Sequence, residues 1–494
     1  MKILIVTGGM YQSSIMTENG MLKEPFPDAV NLTQQIPLRQ AGAYILKSHL
    51  IDAGHDVEIL EFIDFWTKQE ITQWLEKKRN VKYDCIGYSH TFVLEKRARE
   101  MINFFKQHWP DALYVAGSPN YLADIGVDYY VKGYGEHAFV KLLEYHEGKI
   151  SSIETTPYHN GQLIDAYNYY KAWPQTDYSF KYYKDDYWQE NEQFYIELSR
   201  GCRFKCPYCN FPLIGIKEDT SASSDSMYEY LKRNYEEFGK KDYIVLDDTA
   251  NNRTSQLQKL RDAVVRLDFK PTFTGFMRID LMKAHPEQKE LCAEAGFVGH
   301  SYGIETLNHQ TGKLIGKGMD PMLIKETMHE NVEYFESVGH KKIYIDVNLV
   351  AGLPKETIDS MQETQDWFMN NFGKHKHVTW RWHPLHILKD QQGLINAFGL
   401  NMTKYGYEEV VENSGVQFKN ESIISAIKEW TINWRNEFTN FTEVSHYSDQ
   451  WNKETVSSFK RIPSAWRHRF FFNDEDRIHA KFIQDYKLSK ILLE

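Results

Sequence analysis

What the chain lacks narrows it first. It has only five cysteines in 494 residues, too few for a disulfide framework, so the fold must rest on its own hydrophobic cores. No stretch reaches the ~18 consecutive apolar residues of a membrane span. The opening MKILIVTGG is too short an apolar run for a secretory leader and reads as a first β-strand. The expectation is a soluble protein of a reducing, cytoplasmic compartment. Positive charge is also scarce: the net charge is −10, which argues against bulk electrostatic binding of nucleic acid. There is no repeat of solenoid period and no low-complexity segment. What remains is an ordinary globular composition, 42% hydrophobic and 26% charged, long enough for about three domains of ~150 residues each.

Residues 1–150 alternate strand and helix patterns. KILIVTG, DVEILEF, YDCIGYS, ALYVAGS and VDYYVKG read as strands, with helical apolar spacing between them. Alternation at this spacing predicts a doubly wound parallel sheet, on which ligands bind beyond the carboxyl ends of the strands. Residues 151–190 are rich in Tyr and Asp without a clean period and read as an ordered linker packed through its aromatics. The alternation restarts at Phe194 and gives six β/α units through 385, fewer than the eight of a full barrel. This predicts a partial (β/α)6 barrel over 191–385. Residues 386–494, with Trp430, Trp434, Trp451 and Trp466, read as a small α-rich domain or cap. The fold class is α/β throughout the first two units.

The strongest local signal is SRGCRFKCPYCNF, Ser199–Phe211. It places Cys202, Cys206 and Cys209 directly after the first barrel strand, where barrel chemistry is presented. Three thiols are one short of a structural zinc site, and no histidine lies close in sequence. A [4Fe–4S] cluster ordinarily takes four thiolates, one for each iron; three leave one iron open for a small molecule. Cys85 and Cys292 lie in apolar or helical patterns and read as core thiols.

The Cys-x-x-x-Cys-x-Tyr-Cys spacing of Cys202, Cys206, Tyr208 and Cys209 resembles the signature of the radical S-adenosylmethionine (SAM) superfamily. That resemblance implies a [4Fe–4S] cluster whose open iron chelates SAM, and reductive cleavage of SAM to a 5′-deoxyadenosyl radical. It also implies an electron donor of the flavodoxin or ferredoxin type, and places Tyr208 near the adenine. Neighbouring motifs follow in the family's order over roughly 194–372. IVLDDT offers Asp247 or Asp248 for the SAM amino group. GFMRIDL offers Arg278 for the methionyl carboxylate, and YGIETLN offers Glu305 for the ribose. LVAGLP brings a turn at Gly352 near the adenine, and LIGKG echoes the family's lysine–glycine step. The plainer readings are that Asp247 and Asp248 cap the next segment, and that Arg278 and Glu305 form a structural ion pair. For function, the alternative is an iron–sulfur electron-transfer or sensing protein that does not cleave SAM.

Upstream, RQAGAYILKSHLIDAGHDVEILE, DCIGYS, YVAGSPNY and VKGYGEHAFVKLLE resemble the cobalamin-binding domain that precedes many radical SAM enzymes. Glycine-rich strand ends would let a corrin approach the backbone. The Asp-x-His-x-x-Gly motif is absent, and the usual Gly-Gly after the fourth strand is Gly117-Ser118. The resemblance leaves two readings open: bound cobalamin, with methyl transfer as the reaction, or a scaffold that has lost it. Of the remaining signals, His383 and His386 in TWRWHPLHI are candidates to face a substrate. The basic–aromatic stretch FKRIPSAWRHRFFF, followed by NDED, reads as a helix packing its aromatics inward rather than as an RNA patch.

Overall fold

The computed structural model describes residues 1–8, 39–63, 66–89, 95–118, 124–170, 174–188, 192–209, 218–338, 343–387, 396–410, 432–457 and 485–493. The Gly9–Pro37 loop, His90 and Thr91, Trp430 and the 459–472 stretch lie outside the described residues. Among the described residues no helix is long and apolar enough to cross a membrane.

Two parallel sheets organise the chain. The first is built from β1 (Lys2–Thr7), β2 (Asp56–Leu60), β3 (Cys85–Ser89), β4 (Leu113–Ser118), β5 (Tyr129–Lys132), β6 (Thr156–Tyr158) and β7 (Gly161–Asp165), in the order β2-β1-β3-β4-β5-β7-β6. Helices α1 (Ala41–Asp52), α2 (Lys68–Lys77), α3 (Glu95–His108) and α4 (Glu136–His146) connect and cover it. The run Ile3–Val6 is buried on both faces, as a central parallel strand between two helical layers must be. α2 starts where Thr67 and Glu70 form a reciprocal capping box, which satisfies donors that a helix start leaves open. The stretch read as a linker contributes β6 and β7. β7 runs parallel to β5, and β6 turns back antiparallel to it. Only its second half bridges the two sheets, through Tyr178, Phe180 and Tyr182, with Tyr182 4.0 Å from Phe194.

The order β2-β1-β3 reverses at β1, so the crevice between the carboxyl ends of β1 and β3 is the switch point where ligands bind on such sheets. Gln40, just before α1, spans it. Its amide nitrogen donates to the Gly8 carbonyl at 3.1 Å, and its oxygen accepts from the Ser89 hydroxyl.

The second sheet has six strands in sequential parallel order: β8 (Phe194–Ile196), β9 (Asp242–Val245), β10 (Thr272–Met277), β11 (Phe297–Glu305), β12 (Tyr344–Ala351) and β13 (Val378–Pro384). Its helices are α5 (Ser224–Phe238), α6 (Thr254–Val264), α7 (Ile279–Ala284), α8 (Glu287–Ala295), α9 (His309–Leu314), α10 (Pro321–Ser337) and α11 (Ile358–Phe372). β8 and β13 do not pair, so this is an open barrel. After the short α12 (Ala397–Leu400), α13 (Phe441–Ser457) seats on β13 rather than standing apart. Asn452 exchanges two 2.9 Å hydrogen bonds with the Trp382 backbone. The last described segment returns to the first sheet, where the Tyr486 hydroxyl accepts from the Glu61 amide at 2.9 Å.

Candidate functional site

Parallel register decides which side chains share the lumen of the open barrel. Met277, Tyr302, Val347 and Trp380 pair across β10–β13 and are buried under the helices. The alternate residues therefore face inward. Phe276, Ser301, Asp346 and Thr379 form one registered row, and Gly303, Asn348 and Arg381 the row above. Phe276 and Leu246 are each 40% exposed, as apolar side chains lining an open concavity would be.

The cysteine loop leaves the carboxyl end of β8 and is gripped at its root. Asp247 accepts from the Leu198 amide at 2.6 Å, the Ser199 amide at 2.7 Å and the Ser199 hydroxyl at 2.8 Å. Burial pushes this carboxyl well above the usual range, Glu197 adds to the rise, and the three donors oppose it. Arg200 then bonds Glu197 at 2.8 Å and Glu136 of α4 at 2.7 Å, with its guanidinium 4.4 Å from the Tyr134 ring. Gly201 turns the chain with φ +91°, a conformation that suits glycine.

Beyond it, Cys202, Cys206 and Cys209 are partly exposed thiols, whereas Cys85 and Cys292 are both buried in the larger hydrophobic core. The Cys209 amide donates to the Cys206 carbonyl at 3.0 Å, closing a turn. Cys202 lies 3.9 Å from the Thr249 hydroxyl, and burial raises its thiol. Among the described residues no three His, Cys, Asp or Glu side chains converge on a single ion.

Arg278 sits over this loop from the end of β10. Its guanidinium lies 3.6 Å from the Cys206 sulfur and 3.8 Å from the Phe204 ring centroid. Asp280 holds it through both oxygens at 3.0 and 2.7 Å, and Gly316 adds a carbonyl at 3.3 Å. Asn251 clamps its backbone from both sides, at 2.8 and 2.9 Å.

Glu305 ends β11 in a left-handed conformation, φ +69°, which costs a non-glycine residue ~1–2 kcal/mol. The register shift there turns its side chain toward Tyr208, whose hydroxyl donates to it at 3.1 Å, and toward Lys317 at 3.0 Å. Lys317 also donates to the Gly303 carbonyl. A Cβ at position 303 would meet the Glu305 oxygen at 2.5 Å and the Lys317 nitrogen at 2.9 Å, so a side chain there would push this pair aside. Tyr208, Glu305 and Lys317 are thus one group beside the cysteine turn.

Of the adjacent aspartates, Asp248 is the one open to the lumen. Desolvation pushes its carboxyl up to about 7, with Glu197 adding to the rise; because the side chain is also exposed, lumen water offsets part of that. Gly352 packs against the carboxyl-terminal segment. Its φ is +91°, and a Cβ there would strike the Trp434 ring at 2.4 Å, so the turn is built for packing under Trp434. Gly133 likewise is pressed by Tyr167, 2.8 Å from a Cβ position, so packing accounts for this glycine.

His383 does face the lumen: its Nε2 lies 3.3 Å from the Asn348 oxygen, and Asn348 donates to Ser301 at 2.9 Å. Burial, then Arg381, depresses this ring to about 3, so it is neutral and donates Nε2–H to Asn348. His386 is exposed, 5.6 Å from the Phe441 ring. Reading the sequence missed Asp280, Asn251 and the Asp346–Arg381 pair. Period-two alternation in DVN and TWRWH was the available signal.

Residues 196–368 match the model of the radical SAM superfamily. The chain contains a radical SAM domain. The match begins two residues before the cysteine loop's root and ends in α11, so it spans the strands that carry the radical SAM domain's thiols, Arg278 and Glu305. Among curated proteins, the chain is 25% identical over 179 residues to a bacteriochlorophyllide d C-12(1)-methyltransferase of Chlorobaculum tepidum, covering 36% of this chain and 37% of that one. It is 25% identical over 330 residues to an anaerobic magnesium-protoporphyrin IX monomethyl ester cyclase of Synechocystis, covering 60% and 63%. The chain therefore spans less than two thirds of either relative. In fold it resembles TsrM of Kitasatospora setae, a radical SAM methyltransferase solved with tryptophan and a SAM analogue, at TM-score 0.64 and 15% identity over 98% of this chain and 99% of that one. It also resembles the cobalamin-dependent radical SAM enzyme OxsB, at TM-score 0.53 and 16% identity over 82% and 56%. Both likenesses bear on the fold, including the arrangement of an amino-terminal doubly wound sheet before the radical SAM barrel.

Proposed function

We propose that this protein is a radical SAM enzyme that holds a [4Fe–4S] cluster on Cys202, Cys206 and Cys209 and binds SAM between that loop and the ends of β9–β11. The observation that carries the reading is the three partly exposed thiols at the first strand end of an open barrel, with the Arg278 guanidinium 3.6 Å from the Cys206 sulfur. When bound, the cluster supplies the single electron that splits the SAM sulfonium to a 5′-deoxyadenosyl radical. The chain's own residues bind and orient. Asp248 faces the lumen to receive an ammonium group. Arg278 offers a cation for a carboxylate, pre-set by Asp280. Glu305, fixed by Lys317 and Tyr208, offers acceptors for ribose hydroxyls. Asp247 is spent on the loop root.

The first sheet supports a finer reading, methyl transfer with cobalamin at the β1–β3 switch point. Among the described residues, Thr7 there carries a buried hydroxyl without a partner, Gln40 bridges the strand ends, and a Cβ at Gly117 would meet only the Val131 carbonyl at 3.8 Å. Two of the similar proteins are named methyltransferases, one of them a radical SAM methyltransferase. Electrons would come from a low-potential carrier of the flavodoxin or ferredoxin type.

The experiment is anaerobic reconstitution followed by dithionite and SAM. Formation of 5′-deoxyadenosine, lost together with iron in the Cys202→Ala/Cys206→Ala/Cys209→Ala variant, is expected; retention of iron in that variant would sink the assignment. Desalting after incubation with hydroxocobalamin tests the finer reading. Corrin bands near one equivalent support methyl transfer. Their absence with SAM cleavage intact leaves a radical SAM enzyme whose first domain shapes the substrate pocket.

A further inference from the structure

Among the described residues, part of the positive charge of the cysteine loop has no ion pair. Between Glu197 and Glu218 the sequence has no acidic residue, yet it holds Arg200, Arg203, Lys205 and Lys217, in a chain of net charge −10. Arg200 is committed to Glu136 and Glu197. Arg203 and Lys205 are not committed to anything ionic. Arg203 stands 5.1 Å from the Phe204 ring centroid and faces the like charges of Arg253 and Arg278. The opposite charges in its surroundings are Asp280 and the Cys202 thiol, and both Asp280 oxygens are already held by Arg278. Lys205 is exposed. Among the described residues neither side chain has an ion pair or a hydrogen bond. Both lie in the three-residue step between Cys202 and Cys206, on the chain that wraps the thiols.

Two cations without an ion pair on an otherwise anionic molecule make a local attractive potential, and such patches raise the encounter rate of oppositely charged partners. The position fixes what kind of partner gains from it, because an electron bound for the thiol-held group must enter through the protein shell nearest to it. We propose that the outer side of the Arg203–Lys205 step is the docking surface for a small acidic one-electron carrier protein of the flavodoxin or ferredoxin class. The inference rests on the radical SAM reading, in which the site must be re-reduced by one electron for each SAM cleaved. In the step itself one electron leaves the reduced carrier, which is oxidised by one, and enters the oxidised cluster; no bond forms or breaks and no proton moves.

The test is the Arg203→Glu/Lys205→Glu protein with photoreduced flavodoxin as the carrier, run beside dithionite. The KM for flavodoxin at low ionic strength should rise on the order of tenfold, within the range that steering charges control. The difference should close near 1 M salt, where the screening length falls to ~3 Å. Iron content and dithionite-driven 5′-deoxyadenosine formation should match the unaltered protein. The neutral Arg203→Gln/Lys205→Gln protein should fall between. An unchanged flavodoxin KM in the charge-reversed protein would overturn the proposal. So would a parallel loss of iron and dithionite-driven cleavage in both variants, which would assign these cations to holding the cluster. If the unaltered protein forms no 5′-deoxyadenosine with either reductant, the radical SAM reading itself fails, a result separable from the other two.

Discussion

Asp247 and Asp248 are adjacent in sequence and chemically identical, and the structure gives them opposite work. Replacing Asp247 with alanine leaves the Leu198 and Ser199 amides without an acceptor in a buried site, while the Ser199 hydroxyl can turn elsewhere. Each orphaned buried amide costs ~1–3 kcal/mol, so the loss is about 2–6 kcal/mol. For a unit of this size that lowers the melting temperature by roughly 5–20 °C at ~2–4 °C per kcal/mol. Cys202 lies three residues beyond Ser199, so reconstituted iron should fall with it. Asp247→Asn keeps one carbonyl oxygen for two amides and should lose about half as much. Asp248→Asn has no such donors to abandon. It should melt like the unaltered protein and weaken SAM instead, by ~1–3 kcal/mol for a lost charge-assisted bond. Differential scanning fluorimetry, iron quantitation and calorimetry with SAM separate the two positions. An Asp247→Ala protein with unchanged melting and full iron would refute the reasoning, whatever its activity.

The remaining predictions are shorter. Gly352→Ala should destabilise by ~2–4 kcal/mol, from the left-handed backbone and from overpacking against Trp434, visible in denaturant melts without loss of iron. Glu305→Gln breaks the pairing with Lys317 and should raise the SAM dissociation constant tenfold or more; unchanged calorimetry would show the SAM site is elsewhere. The Asp248 carboxyl is raised toward about 7, so it must lose its proton before it can pair with an ammonium. SAM affinity should therefore fall as pH drops below 7, by up to tenfold per unit, and Asp248→Asn should flatten that profile.

Much of this was legible in the sequence. The alternation of β1–β5 and of β8–β13 with their helices follows from apolar runs bounded by glycine and polar turns, a local property that packing then confirms. The triplet of thiols was legible because its spacing and its place after a strand are both sequence facts. The hairpin of β6 and β7 was not, although Asn160-Gly161 is a hairpin signal. Its strands are only three and five residues long, and the tyrosine-rich stretch after them hid the boundary. Nor could the sequence say which aspartate faces the lumen. The run IVLDD is apolar at Ile244, Val245 and Leu246 alike, so it carries no parity, and parity is what decides between Asp247 and Asp248. The packing of Gly352 was hidden for a related reason. A glycine at a strand end is equally consistent with a ligand or with a ring, and Trp434 comes from 82 residues away in sequence, a distance over which local pattern says nothing.

What joins the two sheets also constrains what can bind between them. β8 is an edge of the open barrel, and an uncovered edge is a liability that proteins manage. Here it is covered by the carboxyl end of the first sheet. Arg39, following β1, has a fully buried side chain paired with Glu61 beyond β2 and Glu192 before β8. The Tyr195 hydroxyl donates to the Arg39 carbonyl at 2.8 Å. At the other end of β8, Arg200 joins Glu136, the first residue of α4. Buried ion pairs of this kind add little net stability, because desolvation offsets the attraction. They are satisfied in only one docking geometry, and that is their effect here. The same geometry lays the ligand-binding edge of the doubly wound sheet along the side on which the barrel does not close. A molecule seated at the β1–β3 switch point would therefore adjoin the lumen of the radical SAM domain from the flank, while Lys205 of the cysteine loop is exposed.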